Sequence, residues 1–209
     1  MRHIAITMLL IITHPEHVPN ETQLWQQLLH AGADAILLRK PQWLSEDYAQ
    51  ALEQTDPACY PKIMIAGHWE LYQRFGLMGV HLSGQQREQT DAQLTAEYRQ
   101  RGCRTSTGVH NVAALPLAGN AWDYLLLSPV FDSISKPGYK AQIPAGFKLQ
   151  KNDCNAKVLA LGGVDSTNAA QAKQMGFDGL ALLGSIWQTP ATAIQQLQHI
   201  KSIWNDPML

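Results

Sequence analysis

His110 stands two residues after Gly108, at the end of the run Arg104-Thr105-Ser106-Thr107-Gly108-Val109. An imidazole is the one unperturbed side chain that changes charge near neutral pH, so it suits proton transfer. Elsewhere, Leu159-Ala160-Leu161 runs into Gly162-Gly163, and Ala181-Leu182-Leu183 into Gly184-Ser185. Glycine turns of this kind let backbone N–H groups approach an anion, and a following helix start adds partial positive charge. The plainer reading of either turn alone is an ordinary left-handed turn or helix cap. Arg39-Lys40 bring two cations to the end of a further apolar run. These residue types suit a small anionic ligand. The remaining histidines carry less. His81 lies inside an apolar run and reads as a core residue. His68 is either a cation or the cap of the segment that Trp69 begins. His14 and His17 are most simply exposed loop residues.

For such residues to meet, the elements between them must fold them to one place. Short apolar runs at 8–13, 35–39, 63–65, 79–82, 104–108, 124–127, 158–161 and 179–183 predict eight strands. They are apolar along their length, which predicts burial on both faces. Amphipathic segments predict helices at 22–31, from Ser45 onward, and at 69–75, 92–101, 112–117, 168–175 and 191–203. Gly32, Gly76 and Gly102 serve as stops. This alternation predicts an α/β fold, a single-domain (β/α)8 TIM barrel spanning residues 1–209. The rival is an open doubly wound sheet, weakened by the lack of G-x-G-x-x-G after an early strand. In a barrel the strand ends form one mouth. That mouth gathers His14, Arg39, Lys40, His68, Gly108, His110, the 128–136 loop, Gly162, Gly163, Gly184 and Ser185. The turns after strands seven and eight are the usual phosphate grip of the fold.

Sixteen Lys+Arg against seventeen Asp+Glu exclude a nucleic-acid binder with a broad basic face. Three cysteines without close pairing argue against a disulfide framework or zinc site and for a reducing, cytoplasmic setting. No apolar run reaches the length needed to span a bilayer, so no membrane partner is expected. The apolar start 4–13 reads as a buried first strand, not a signal sequence. With 45% hydrophobic residues the chain can bury a real core. The length leaves room for one barrel and no fused second enzyme.

Several stretches in one register, from about residue 9 to 190, resemble the thiamine phosphate synthase/TenI family. They are 35–39, Met78-Gly79-Val80-His81-Leu82, Gly108-Val109-His110, residues 123–136, Ala160-Leu161-Gly162-Gly163-Val164 and 179–183. The most specific is Ser128-Pro129-Val130-Phe131-Asp132-Ser133-Ile134-Ser135-Lys136, where the family has Gly-Pro-Val-Phe-x-Thr-x-Thr-Lys. The resemblance implies single-domain barrels of thiamine biosynthesis that pair in some cases, so a homodimer is one expectation. Two activities share the fold. The synthase joins an aminopyrimidine diphosphate to a thiazole phosphate with Mg2+. TenI-like proteins act on the thiazole phosphate alone, and the tautomerases among them aromatise a carboxythiazole phosphate by proton transfer.

Departures from the synthase pattern separate the two. Leu37 replaces Gln, Pro41 replaces Lys, and Ala66-Gly67-His68 replaces Asn-Asp-Arg. Gln86 replaces the second Asp, and Gly108 replaces Ser. Both metal carboxylates are thus missing, while the thiazole-phosphate half is retained. The resemblance therefore implies a TenI-like reading that needs no cofactor, with a thiazole phosphate as small-molecule substrate. His110 would be acid/base, Lys136 would pair with the substrate's carboxylate or phosphate, and Ser133 and Ser135 would donate hydrogen bonds. The alternatives are a divergent Mg2+-dependent synthase, with Asp132 and Glu46 as nearest spare carboxylates, or a binding-only protein.

Overall fold

The run Met8–Ile12 (β1) is buried at every residue, and so are Ala35–Leu38 (β2) and Gly179–Leu182 (β8). A strand with no exposed face must be covered on both sides, which a closed parallel sheet ringed by helices achieves. The computed structural model describes residues 8–90, 92–118, 121–132, 141, 143–144, 146–150 and 155–208. The remaining strands are Ile63–Ala66 (β3), Gly79–Leu82 (β4), Arg104–Val109 (β5), Tyr124–Leu127 (β6) and Lys157–Leu161 (β7). They pair in sequence order, and β8 returns to β1 to close the barrel. Every strand expected from sequence is present, within one or two residues at its ends.

The helices are Glu21–His30 (α1), Ser45–Glu53 (α2), Trp69–Phe75 (α3), Gly84–Gln89 (α4), Ala92–Gln100 (α5), Leu115–Ala118 (α6), Ala169–Gln174 (α7), Gly184–Trp187 (α8) and Ala193–Trp204 (α9). A 3-10 segment, Pro57–Lys62, leads into β3. The polar helix α4 and the short α8 lack an apolar stripe, so periodicity does not reveal them. Asn20 precedes α1 in a left-handed conformation and its side chain makes no capping bond. The helix expected from Ser45 onward does begin there, but Ser45 is not its cap. Instead Leu44 is the cap, its N–H held by Asp47 Oδ2 at 2.8 Å, while the Ser45 hydroxyl donates to Glu70 at 3.1 Å.

Alternation divides the core. Met8, Leu10, Ile12, Leu37, Met64 and Leu159 fill the barrel interior. Their neighbours along each strand face the helices in a larger shell. Three aspartates brace the closed bottom. Asp34, Asp123 and Asp178, each just before an even-numbered strand, accept the N–H of Leu9, Thr105 and Val158 at 2.7, 2.9 and 2.9 Å. Each carboxylate thereby satisfies an opening amide of the preceding odd-numbered strand. Gly79 and Gly179 begin β4 and β8 against neighbouring backbone. A Cβ on Gly79 would lie 1.9 Å from the Arg104 carbonyl oxygen. No helix among the described residues is long and apolar enough to cross a membrane.

Candidate active site

β5 delivers His110 to the mouth, where its side chain is exposed. Its Nδ1 lies 3.1 Å from the Ser128 carbonyl oxygen, at the end of the next strand. A carbonyl only accepts, so Nδ1 carries the proton and Nε2 is left as the working nitrogen. Gly108, two residues earlier, has open space where a side chain would be. Its carbonyl accepts from Arg87 Nη1 of α4 at 2.7 Å. Sequence reasoning missed Arg87, because only the unpredicted α4 aims it at β5.

The segment after β6 crosses onto the end of β7. Ser128 N–H donates to the Val109 oxygen at 2.9 Å. Val130 and Phe131 N–H donate to the Leu161 and Gly162 oxygens at 2.9 and 3.0 Å. Gly162 and Gly163 have φ of +89° and +68°, a region that suits glycine. A Cβ on Gly162 would sit 2.9 Å from Pro129 Cα, and one on Gly163 would sit 2.2 Å from the Asp132 oxygen. The two glycines are thus required by the crossing segment, whatever else they bind. Asn168 closes the turn from behind: Nδ2 donates to the Gly163 oxygen at 2.8 Å and Oδ1 accepts from Asp165 N at 3.0 Å.

At the end of β8, Gly184 opens α8 and Ser185 follows with its Oγ buried. That hydroxyl has no hydrogen-bond partner among the described residues. A buried unsatisfied hydroxyl is costly and marks a place for a missing partner. Beside it, Trp187 Nε1 donates to the Ile12 oxygen at 2.7 Å, and the His14 ring meets Trp187 edge-on at 6.4 Å.

The β2 end divides its two cations. Arg39 is exposed, its backbone N–H donating to Thr13 Oγ1 at 2.9 Å. Lys40 is a correction. Expected to bind phosphate, it is 1% exposed and its Nζ donates to both Glu21 carboxylate oxygens at 2.6 Å and to the Glu16 oxygen at 2.7 Å. Burial lowers its pKa, with Glu21 opposing the shift. The ammonium therefore ties β2 to α1 and does not serve the mouth. The signal for this was Glu21 at the start of an otherwise amphipathic helix.

His81 lies inside the barrel as the sequence suggested, its Nδ1 2.8 Å from Ser106 Oγ. Burial, then the Arg39 charge, lowers its pKa from 6.5 to about 4. His68 occupies the cap of α3 in a left-handed conformation, φ 48°, without a side-chain capping bond. Its ring lies against Tyr48 at 4.5 Å, and Nδ1 is 3.3 Å from Glu70 Oε1. Residues 67, 68 and 86 at the ends of β3 and β4 are Gly, His and Gln. Gln86 Oε1 accepts from Ser83 N–H at 2.9 Å, as part of the α4 cap. Asp132 Oδ1 accepts from Ala141 N–H at 2.8 Å. This donor set does not fit Mg2+, which takes carboxylate oxygens in open octahedral array. Ser133, Ser135 and Lys136 lie outside the described residues.

The structure thus brings His110, Gly108, Arg39, Gly162, Gly163, Gly184 and Ser185 to one end of the barrel. A family model described as thiamine monophosphate synthase matches residues 9–186. The chain is 27% identical over 190 residues to a thiamine-phosphate synthase of Nitrosococcus oceani, covering 86% of this chain and 84% of that one. A Neisseria meningitidis protein of the same name is 25% identical over 185 residues, covering 84% and 88%. Among solved structures, a thiamine phosphate pyrophosphorylase from Bacteroides thetaiotaomicron aligns with a TM-score of 0.67 at 22% identity, covering 94% and 97%. One from Pyrococcus furiosus aligns at 0.71 and 14% identity, covering 97% and 96%.

Proposed function

The chain belongs to the thiamine monophosphate synthase/TenI family, and from that premise we propose that its barrel mouth binds a thiazole phosphate and moves a proton on it through His110. The phosphate would lie at the ends of β7 and β8, against Gly163, Gly184 and the unpartnered Ser185 hydroxyl. Arg39 and Lys136 would balance the substrate's negative charge, with Ser133 and Ser135 as further donors. His110 Nε2 would take the proton from one carbon of the carboxythiazole and return it to another, so the reaction needs no redox partner and no net proton. The observation that carries this reading is the His110–Ser128 bond, which leaves Nε2 free to accept.

The test is aromatisation of the carboxythiazole phosphate tautomer by purified protein. His110→Asn is expected to slow it by about 100-fold or more, the usual weight of a positioned acid/base. Equal rates in the two proteins would overturn the assignment.

The curated relatives favour a second reading, because they carry the name thiamine-phosphate synthase. On that reading the mouth joins an aminopyrimidine diphosphate to the thiazole phosphate and releases diphosphate. Thiamine phosphate formed from the two substrates in the presence of Mg2+ would establish it. The Gly67, His68 and Gln86 positions argue against it, since none supplies a carboxylate for the metal.

A further inference from the structure

We propose that residues 128–132 form a brace that fixes the tautomer of His110, and that the glycine turn at 162–163 sets this brace from the far side of β6. Ser128, Gly162 and Asn168 are then positioning residues. The inference rests on the reading of His110 as the working imidazole, and its structural part is testable without turnover.

The chain of contacts is continuous. His110 Nδ1 donates to the Ser128 oxygen. Ser128 is fixed by its own N–H on Val109, one residue from His110. Two residues on, Val130 and Phe131 anchor the same segment to the Leu161 and Gly162 oxygens. Pro129 lies between these anchors, with its Cα where a Gly162 side chain would begin. Asn168 holds the Gly163 carbonyl from the other side, so the turn cannot relax away from the brace. His110 is exposed, and no other bond to its ring is seen among the described residues. Its orientation therefore depends on where the Ser128 carbonyl points. A ring released from that carbonyl would sample both tautomers, and in one of them Nε2 carries the proton and cannot accept.

The experiment is nitrogen NMR of the His110 ring in the ligand-free protein, assigned by comparison with His110→Asn. In the wild type the two nitrogens should give well-separated signals, with Nδ1 protonated and Nε2 bare. Gly162→Ala presses on Pro129 and should pull the two signals toward a common average. Asn168→Ala adds no atoms, keeps the fold and should produce a smaller shift in the same direction. Gly184→Ala, at the neighbouring strand end with nothing within 4 Å of the new methyl, should leave the ring signals in place. In turnover, Asn168→Ala should lower kcat about tenfold with KM little changed, as expected when a catalytic group is misplaced but binding is kept. Unchanged ring signals in both Gly162→Ala and Asn168→Ala would overturn the brace, as would an equal change in Gly184→Ala. A wild type that shows the predicted ring signals but no turnover would instead remove the proposed reaction and leave the brace standing.

Discussion

Single residues at this mouth differ in how far their types foretell their roles. His110 and Lys40 both follow strand ends, and on spacing alone both belong to the site. The structure separates them by what each can reach. Among the described residues His110 meets only a carbonyl and keeps one nitrogen open, whereas Lys40 finds Glu21 from α1 and is consumed by it. A pairing between residues nineteen apart, across a helix start, leaves no periodic trace. His81 shows the opposite case, since an imidazole inside an apolar run could hardly be anywhere but the core. Its lowered pKa makes a prediction. As pH falls below 6.5 the unfolded chain binds a proton there, but the folded chain does not until about 4. Stability should therefore fall across that window, by up to about 3 kcal/mol, and lose nothing more from this group below it. Urea unfolding from pH 7 to 4 measures the effect, and His81→Gln should flatten the slope. Parallel slopes in the two proteins would show that His81 is not responsible.

Elements were legible where their pattern had a physical cause that the sequence carries. Gly79–Leu82 and Tyr124–Leu127 fall where the apolar pattern puts them, because burial on both faces demands uniform apolar strands. Gly84–Gln89 was not legible, since none of its residues is buried and its cap rather than a stripe defines it. The left-handed turn at 162–163 was legible as glycine. Its second reason, the approach of 128–132, depends on neighbours that only the closed barrel supplies. The same holds for Gly79, which looked like a strand residue and nothing more. Gly79→Ala should cost about 3 kcal/mol or more, because the intruding methyl meets backbone that the sheet fixes. Gly184→Ala should stay within about 0.5 kcal/mol of the wild type. Comparison of urea midpoints decides, and a tolerated Gly79→Ala would mean that β4 and β5 are not in the register described.

For the whole molecule, closure in strand order brings residues from β1, β2, β5, β7 and β8 to one end of the barrel. The near-zero net charge said nothing about that end, where Arg39, His110 and a buried hydroxyl gather. A thiazole phosphate at a hundredfold excess over its Kd should raise stability by about 2.7 kcal/mol. At this chain length that is a rise in Tm of very roughly 5–10 °C. If the mouth binds the phosphate without a metal, adding Mg2+ should leave that rise unchanged. A shift that appears only with Mg2+ would favour the synthase reading. Closure also has a consequence for how the protein is made. The Trp187–Ile12 bond joins residues 175 apart, and β1 pairs with β8 as well as β2. During synthesis the apolar strand Met8–Ile12 leaves the ribosome before β8 and meets that partner only after all the intervening strands are out. Until then a flat, uncharged edge stays open to other nascent chains. Yield in the cell should thus depend on how quickly the segment from β2 to β8 is translated and on what shelters β1 while it waits.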